Sequence, residues 1–187
     1  MGKIVSKTRK KKRGSRSRKV AVVTSKKPFR TYDEAIKYLY NRTDYEQERH
    51  LRYNVDTFNI KRMEQLLCLV GNPHNKIDTV HIAGTKGKGS TAAMLAKMLE
   101  ANEYKVGLYT SPHLINLHER ISVDSEAISR SAMLNLINRI YKAVEKVAKT
   151  SNPTFFEIMT ALAFMHFADS KVDISTVSYT HLTLPTN

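Results

Sequence analysis

The stretch Thr79-Val80-His81-Ile82-Ala83-Gly84-Thr85-Lys86-Gly87-Lys88-Gly89-Ser90-Thr91 decides how the rest of the chain is read. An apolar run at residues 80–83 is long enough for a buried strand. Three glycines follow, Gly84, Gly87 and Gly89, with Lys86 and Lys88 between them. Ser90 and Thr91 then open an amphipathic run to Glu100, with Ala93, Leu95, Ala96, Met98 and Leu99 as its apolar positions. Strand, glycine-rich turn and helix together form the context of a phosphate-binding loop. Glycine permits positive φ and lets backbone N–H groups approach an anion with no Cβ in the way. The helix N-terminus adds partial positive charge, a lysine adds a full one, and the Ser90 hydroxyl is placed for magnesium or phosphate. The stretch departs from the strict Gly-x-x-x-x-Gly-Lys-Ser/Thr pattern, because position 82 is Ile and Gly89 intervenes between Lys88 and Ser90. A plain glycine-rich connection with solvated lysines is the alternative, and two lysines among three glycines at a helix start weigh against it.

The 187 residues, 41% of them hydrophobic, suffice for one substantial core. Charge is unevenly placed. Residues 1–30 hold 13 of the 31 lysines and arginines and no acidic residue, which leaves 18 basic and 17 acidic residues, a net of +1, for residues 31–187. The net charge of +14 therefore belongs to a tail, and the body is not a basic nucleic-acid-binding domain. The tail, residues 1–30, is expected to be disordered, with nucleic acid as a partner only through it; a solubilising extension is the plainer reading. Cys68 is the single cysteine, so neither an internal disulfide nor a multi-cysteine zinc site is available, and its apolar helical face suggests a small core residue. No run approaches the roughly 18 apolar residues of a membrane span, and no apolar signal core follows the basic N-terminus. A soluble, monomeric protein of the reducing cytoplasm, with no membrane partner, is expected.

Thr31-Tyr32-Asp33-Glu34 has capping-box grammar and starts a helix carrying Ala35, Ile36, Leu39 and Tyr40. Residues 41–59 are polar without a period and read as a long loop. Ile60, Met63, Leu66, Leu67 and Val70 mark a second helix, closed by Gly71-Asn72-Pro73. Beyond the glycine-rich unit, residues 106–110 read as a second buried strand reached by a crossover helix, which implies parallel pairing with the first. Ser111 leaves that strand at its C-terminal end, the edge where open α/β sheets bind ligands. Residues 119–123 alternate like an edge strand, residues 131–149 are helical, Thr154-Phe155-Phe156-Glu157 repeats the capping box ahead of a helix at 158–168, and residues 172–177 begin a third strand. The fold class is thus α/β, a parallel sheet of the phosphate-loop type with flanking helices.

From residue 31 to 177 the chain resembles the N-terminal part of the folylpolyglutamate synthase / dihydrofolate synthase family, relatives of the Mur ligases. The likeness rests on the His81 to Ser90 segment, on Gly107-Leu108-Tyr109-Thr110-Ser111-Pro112-His113-Leu114, on Glu119-Arg120-Ile121, and on Thr154-Phe155-Phe156-Glu157 with Thr160-Ala161. It implies a truncated ATP-binding domain of a ligase that phosphorylates the carboxylate of a folate-type substrate with ATP and Mg2+. The amine of L-glutamate would then displace the phosphate. Carried over by position, Gly84, Thr85, Lys86, Gly87, Lys88, Gly89 and Ser90 hold the triphosphate, with Lys88 the principal cation. Ser111 binds magnesium. Thr154, Phe155, Phe156 and Glu157 line the pterin site, although a helix-start staple into the core is the expectation for one of the two rings. Arg120 steers an anionic substrate or pairs with Glu119 or Asp124 at the surface, and His81 and His113 are scaffold. Ser178-Tyr179-Thr180 stands where the family places a magnesium-binding glutamate and a glycine turn. Residues 178–187 are accordingly expected to be foreign to the family, and the chain to be an inactive fragment. A Mur-type amino-acid ligase and a non-catalytic fragment with an RNA-binding tail are the alternatives.

Overall fold

The computed structural model describes residues 28–42, 59–84 and 86–178. Residues 1–27 of the expected tail, residues 43–58 of the expected loop, Thr85, and residues 179–187 lie outside the described residues.

Helix α1 (Tyr32–Tyr40) starts where its sequence says it should. Thr31 Oγ1 accepts from Glu34 N–H at 3.2 Å and Glu34 Oε2 accepts from Thr31 N–H at 3.2 Å. Helix α2 (Ile60–Leu69) is capped by Asn59 and ends as Gly71 (φ 86°) and Asn72 (φ 49°) turn left-handed ahead of a 3-10 turn, Pro73–Lys76. It buries Met63, Leu66 and Leu67. Cys68, rotated about 100° from Leu67, is exposed and lines a groove with Gln65, Leu69 and Lys146, so the core position expected for it is not what forms.

Among the described residues five strands build one sheet in the order β1-β5-β2-β3-β4: β1 (Asp78–Ile82), β2 (Val106–Thr110), β3 (Ile121–Val123), β4 (Glu126–Ala127) and β5 (Ile174–Ser178). The first three in that order are parallel, and β3 and β4 add antiparallel at one side. The parallel reading therefore holds for the strands that carry the glycine-rich unit, while the sheet as a whole is mixed. Helix α3 (Lys88–Glu100) does connect two parallel strands, but β1 and β2 are not neighbours, because β5 lies between them. Its residues 175–178 are all buried, as suits a central strand. Two of the hydroxyls there find partners: Ser175 Oγ lies 2.9 Å from Thr79 Oγ1, and Thr176 Oγ1 donates to the Ala92 carbonyl at 3.3 Å. Pairing runs through Ser178, one residue past the boundary read from the sequence.

Helix α3 covers one face of the sheet through Ala92 and Ala96, whose small side chains permit close approach. Met98, read as part of its apolar side, is exposed, as is Met94. Helix α5 (Phe155–Ser170) covers the other face. It is apolar on every side because helix α4 (Arg130–Ala148) packs on its outer surface, with α1 and α2 against α4. Its approach is close: a Cβ on Gly107 would lie 2.7–2.9 Å from the Phe167 ring. No helix among the described residues is long and apolar enough to cross a membrane.

Candidate active site

Strand β1 ends at Ile82 and α3 begins at Lys88, so the glycine-rich turn is a short link from sheet to helix. Gly87 is the N-cap residue of α3 and sits at φ 73°, a conformation that glycine adopts without strain. Among the described residues no side chain caps this end, and the first backbone hydrogen bond, Thr91 N–H to the Gly87 carbonyl, is 2.9 Å long. The N–H groups of Gly89 and Ser90, in the turn before it, thus have no internal helical acceptor, and the helix dipole adds to their pull on an anion. Space is open beside them, since a Cβ on Gly87 or Gly89 would meet nothing within 4 Å. Lys88 Nζ folds back over the turn and donates to the Gly84 carbonyl at 2.7 Å, while Lys86 and Ser90 are exposed.

The second part of the site leaves the same edge of the sheet. Thr110 is in register with Ser178, and Ser178 with Ile82, so Ser111 and the glycine turn both follow the C-terminal ends of parallel strands. The Ser111 Oγ is buried and has no hydrogen-bond partner among the described residues. Hard cations take oxygen ligands, and a hydroxyl held out of water without a partner fits that demand. No group of three or more His, Cys, Asp or Glu that could hold a metal occurs among the described residues.

Helix α5 runs back along the sheet, which brings its first turn to the ligand edge; the Phe156 and Tyr109 rings are 6.3 Å apart. The start of α5 is a closed network. Glu157 Oε2 accepts from Thr154 N–H at 2.8 Å and from Thr154 Oγ1 at 3.0 Å, and Glu157 N–H donates back to Thr154 Oγ1 at 3.1 Å. Arg62 Nε donates to both Glu157 oxygens, at 2.9 and 2.8 Å, and its Nη1 to Ser151 Oγ at 3.0 Å. Phe155 stacks on Tyr40 with centroids 5.6 Å apart, and the Arg120 guanidinium lies 5.4 Å over it. Phe155 is 0% and Phe156 6% exposed, so both rings, not one, staple into the core.

Arg120 is not at the surface with Glu119 or Asp124, as one reading had it. It is 2% exposed, and its Nε donates to His113 Nδ1 at 2.9 Å, a scaffold role for that histidine. Glu119 instead accepts from the N–H groups of Leu114, Ile115 and Asn116 and organises the loop between Ser111 and Arg120. The structure thus gathers Arg120 with Thr154, Phe155, Phe156 and Glu157, and it sets Lys88, Gly89, Ser90 and Ser111 on the same sheet edge. Arg62 escaped the sequence reading. Its signal was there: Glu157 is the one acid in residues 155–168, and an acid in so apolar a helix needs a buried cation.

A dihydrofolate synthase/folylpolyglutamate synthase of Bacillus subtilis is 40% identical over 148 residues, 78% of this chain and 32% of that protein. The crystal structure of folylpolyglutamate synthase from Thermotoga maritima superposes with a TM-score of 0.69 at 35% identity, covering 79% of this chain and 32% of that one. The chain belongs to the folylpolyglutamate synthase / dihydrofolate synthase family. A folylpolyglutamate synthase–AMPPCP–folate complex gives a TM-score of 0.70 at 33% identity over 80% of this chain and 35% of its own. No family model matches the chain. It spans about a third of the length of the curated relatives it matches.

Proposed function

We propose that the chain supplies the ATP-binding turn and the pterin-side helix start of an ATP-dependent ligase, one that joins L-glutamate to a folate-type carboxylate. What carries this reading is the meeting, on one sheet edge, of a glycine-rich helix start and a buried Ser111 hydroxyl, neither of which has a side-chain partner among the described residues. A relative of the same fold in complex with both AMPPCP and folate supports the two halves of the site.

Carboxylates are poor electrophiles, and phosphorylation supplies a leaving group that an amine displaces. In this reading the turn of residues 84–90 holds the triphosphate through Gly89 and Ser90 N–H groups. Lys88 releases the Gly84 carbonyl and neutralises the charge that grows on the transferred phosphoryl group. Magnesium, held by Ser111, would supply further charge neutralisation on the phosphate oxygens. Thr154, Phe155, Phe156 and Glu157 shape the wall of the pterin site from within the core, and Arg120, buried beside Phe155, steers an anionic substrate. Folate-type and L-glutamate partners, a monomeric state and a cytoplasmic setting belong to the same proposal.

Calorimetric titration of the full chain with AMPPCP and magnesium tests it. Wild type should bind, and Lys88→Ala should bind at least tenfold more weakly, about 1.4 kcal/mol. Equal affinity of the two proteins would remove the phosphate role, and absence of binding in the wild type would remove the whole reading.

A further inference from the structure

We propose that Arg62 is a positioning residue for the start of α5, acting through Glu157 on the segment that meets the pterin; this rests on the substrate reading given above. The pair is deeply buried, with side chains 8% and 5% exposed, and it joins residues 95 apart in sequence. Stability alone does not account for it, because a buried ion pair is often no better than two apolar side chains of the same volume. What an apolar pair lacks is direction.

Three separate pieces of backbone meet on this one guanidinium. Arg62 belongs to α2, its Nη1 reaches Ser151 in the connection from α4, and its Nε holds the carboxylate that caps α5. Glu157 Oε2 already receives the Thr154 N–H and hydroxyl, so the arginine and the capping box hold the same carboxylate from two sides. Phe155 and Phe156 are the first two residues of the helix, and the cap sets the direction of both rings. Their neighbours Arg120, Tyr40 and Tyr109 are in contact only if that direction is kept. Without Arg62 the carboxylate would turn toward water, the box would open, and the first turn of α5 would lose its single orientation. Lys88 sits at the start of α3, across the sheet from this network, and donates to the Gly84 carbonyl. Loss of Arg62 should therefore weaken folate binding and spare nucleotide binding.

The test compares the full-length chain with Arg62→Lys and with the double variant Arg62→Met/Glu157→Gln. The double variant guards against misfolding, since it leaves no lone buried charge and keeps a Gln able to cap. Affinities for folate and for AMPPCP are measured separately, and amide exchange is followed at Thr154, Glu157 and Ile158 against Tyr109 and Val177 in the sheet. In both variants folate affinity should fall at least tenfold and AMPPCP affinity stay within twofold. Protection at the three helix-start amides should fall at least tenfold relative to the sheet in Arg62→Lys, and by less in the double variant, whose Gln still caps. Unchanged protection, or folate and AMPPCP affinities lowered by the same factor, overturns the proposal. A wild-type chain that takes AMPPCP but no folate overturns the link to substrate, and the protection ratios alone then uphold or overturn the positioning of the helix.

Discussion

Ser111 and Glu119 bracket the loop that leaves β2, and each makes a claim that one residue can test. A buried hydroxyl with no partner costs roughly 1–3 kcal/mol in an otherwise satisfied core. Ser111→Ala should therefore leave the unfolding midpoint unchanged or raise it, while the magnesium-dependent part of AMPPCP binding falls about tenfold, ~1.4 kcal/mol. A destabilised Ser111→Ala chain with intact metal dependence would show that the hydroxyl serves the fold instead. Glu119 is held below its ordinary 4.5 by the backbone N–H groups of Ile115 and Asn116, with that of Leu114. A depressed carboxyl contributes order that is complete above the unfolded value and is lost as pH falls through the folded one. Amide proton shifts of Leu114, Ile115 and Asn116 should accordingly titrate together with an apparent pKa under 4.5. A midpoint at or above that value would mean the carboxylate does not hold this loop.

Between elements, α5 lies close on the sheet at Gly107. The ring of Phe167 is fully buried and occupies the space where any side chain at residue 107 would begin. Gly107→Ala should cost about 1–3 kcal/mol in urea unfolding, and the smaller side chain in Gly107→Ala/Phe167→Leu should recover part of it. Full stability in the single variant would show that α5 is free to shift. Local signals of this kind decide what a sequence discloses. Both capping boxes were spelled out in residues 31–34 and 154–157, and both form, because a cap is a matter of four adjacent residues. The order of strands was not legible. Residues 174–178, Ile-Ser-Thr-Val-Ser, look too polar for the middle of a sheet, and only the partners Thr79 and the Ala92 carbonyl, far away in sequence, make that position tolerable. The site divides along the same line: the glycine turn and Ser111 were visible as contiguous motifs, whereas Arg62 with Glu157 spans 95 residues and had no local trace beyond one acid in an apolar helix.

For the molecule as a whole, most of the positive charge lies ahead of the described residues in sequence. Among the described residues, Phe29 already makes contacts before the Thr31 cap. Its N–H donates to Asn138 Oδ1 at 2.9 Å, its carbonyl accepts from Asn138 Nδ2 at 3.1 Å, and its ring lies 5.0 Å from Tyr38 and 5.4 Å from Tyr141. These contacts tie the chain ahead of α1 to α4, next to the Tyr38–Glu145–Arg42 network that docks the same two helices. Residues 1–27 carry 12 lysines and arginines and no acidic residue. Nucleic-acid binding, if the chain has any, should come from those residues by phosphate neutralisation and weaken steeply with salt. Two deletions distinguish these roles. Removing residues 1–27 should abolish salt-sensitive retention on single-stranded RNA and leave both the unfolding midpoint and AMPPCP affinity unchanged. Removing residues 1–30 should do the same to RNA but also cost on the order of 2 kcal/mol, from lost burial of Phe29 and its two backbone hydrogen bonds. If the shorter deletion already destabilises the chain that much, the basic segment is part of the fold; if RNA retention survives it, the basic face lies on residues 28–187, whose 19 basic and 17 acidic residues, a net of +2, give no reason to expect one.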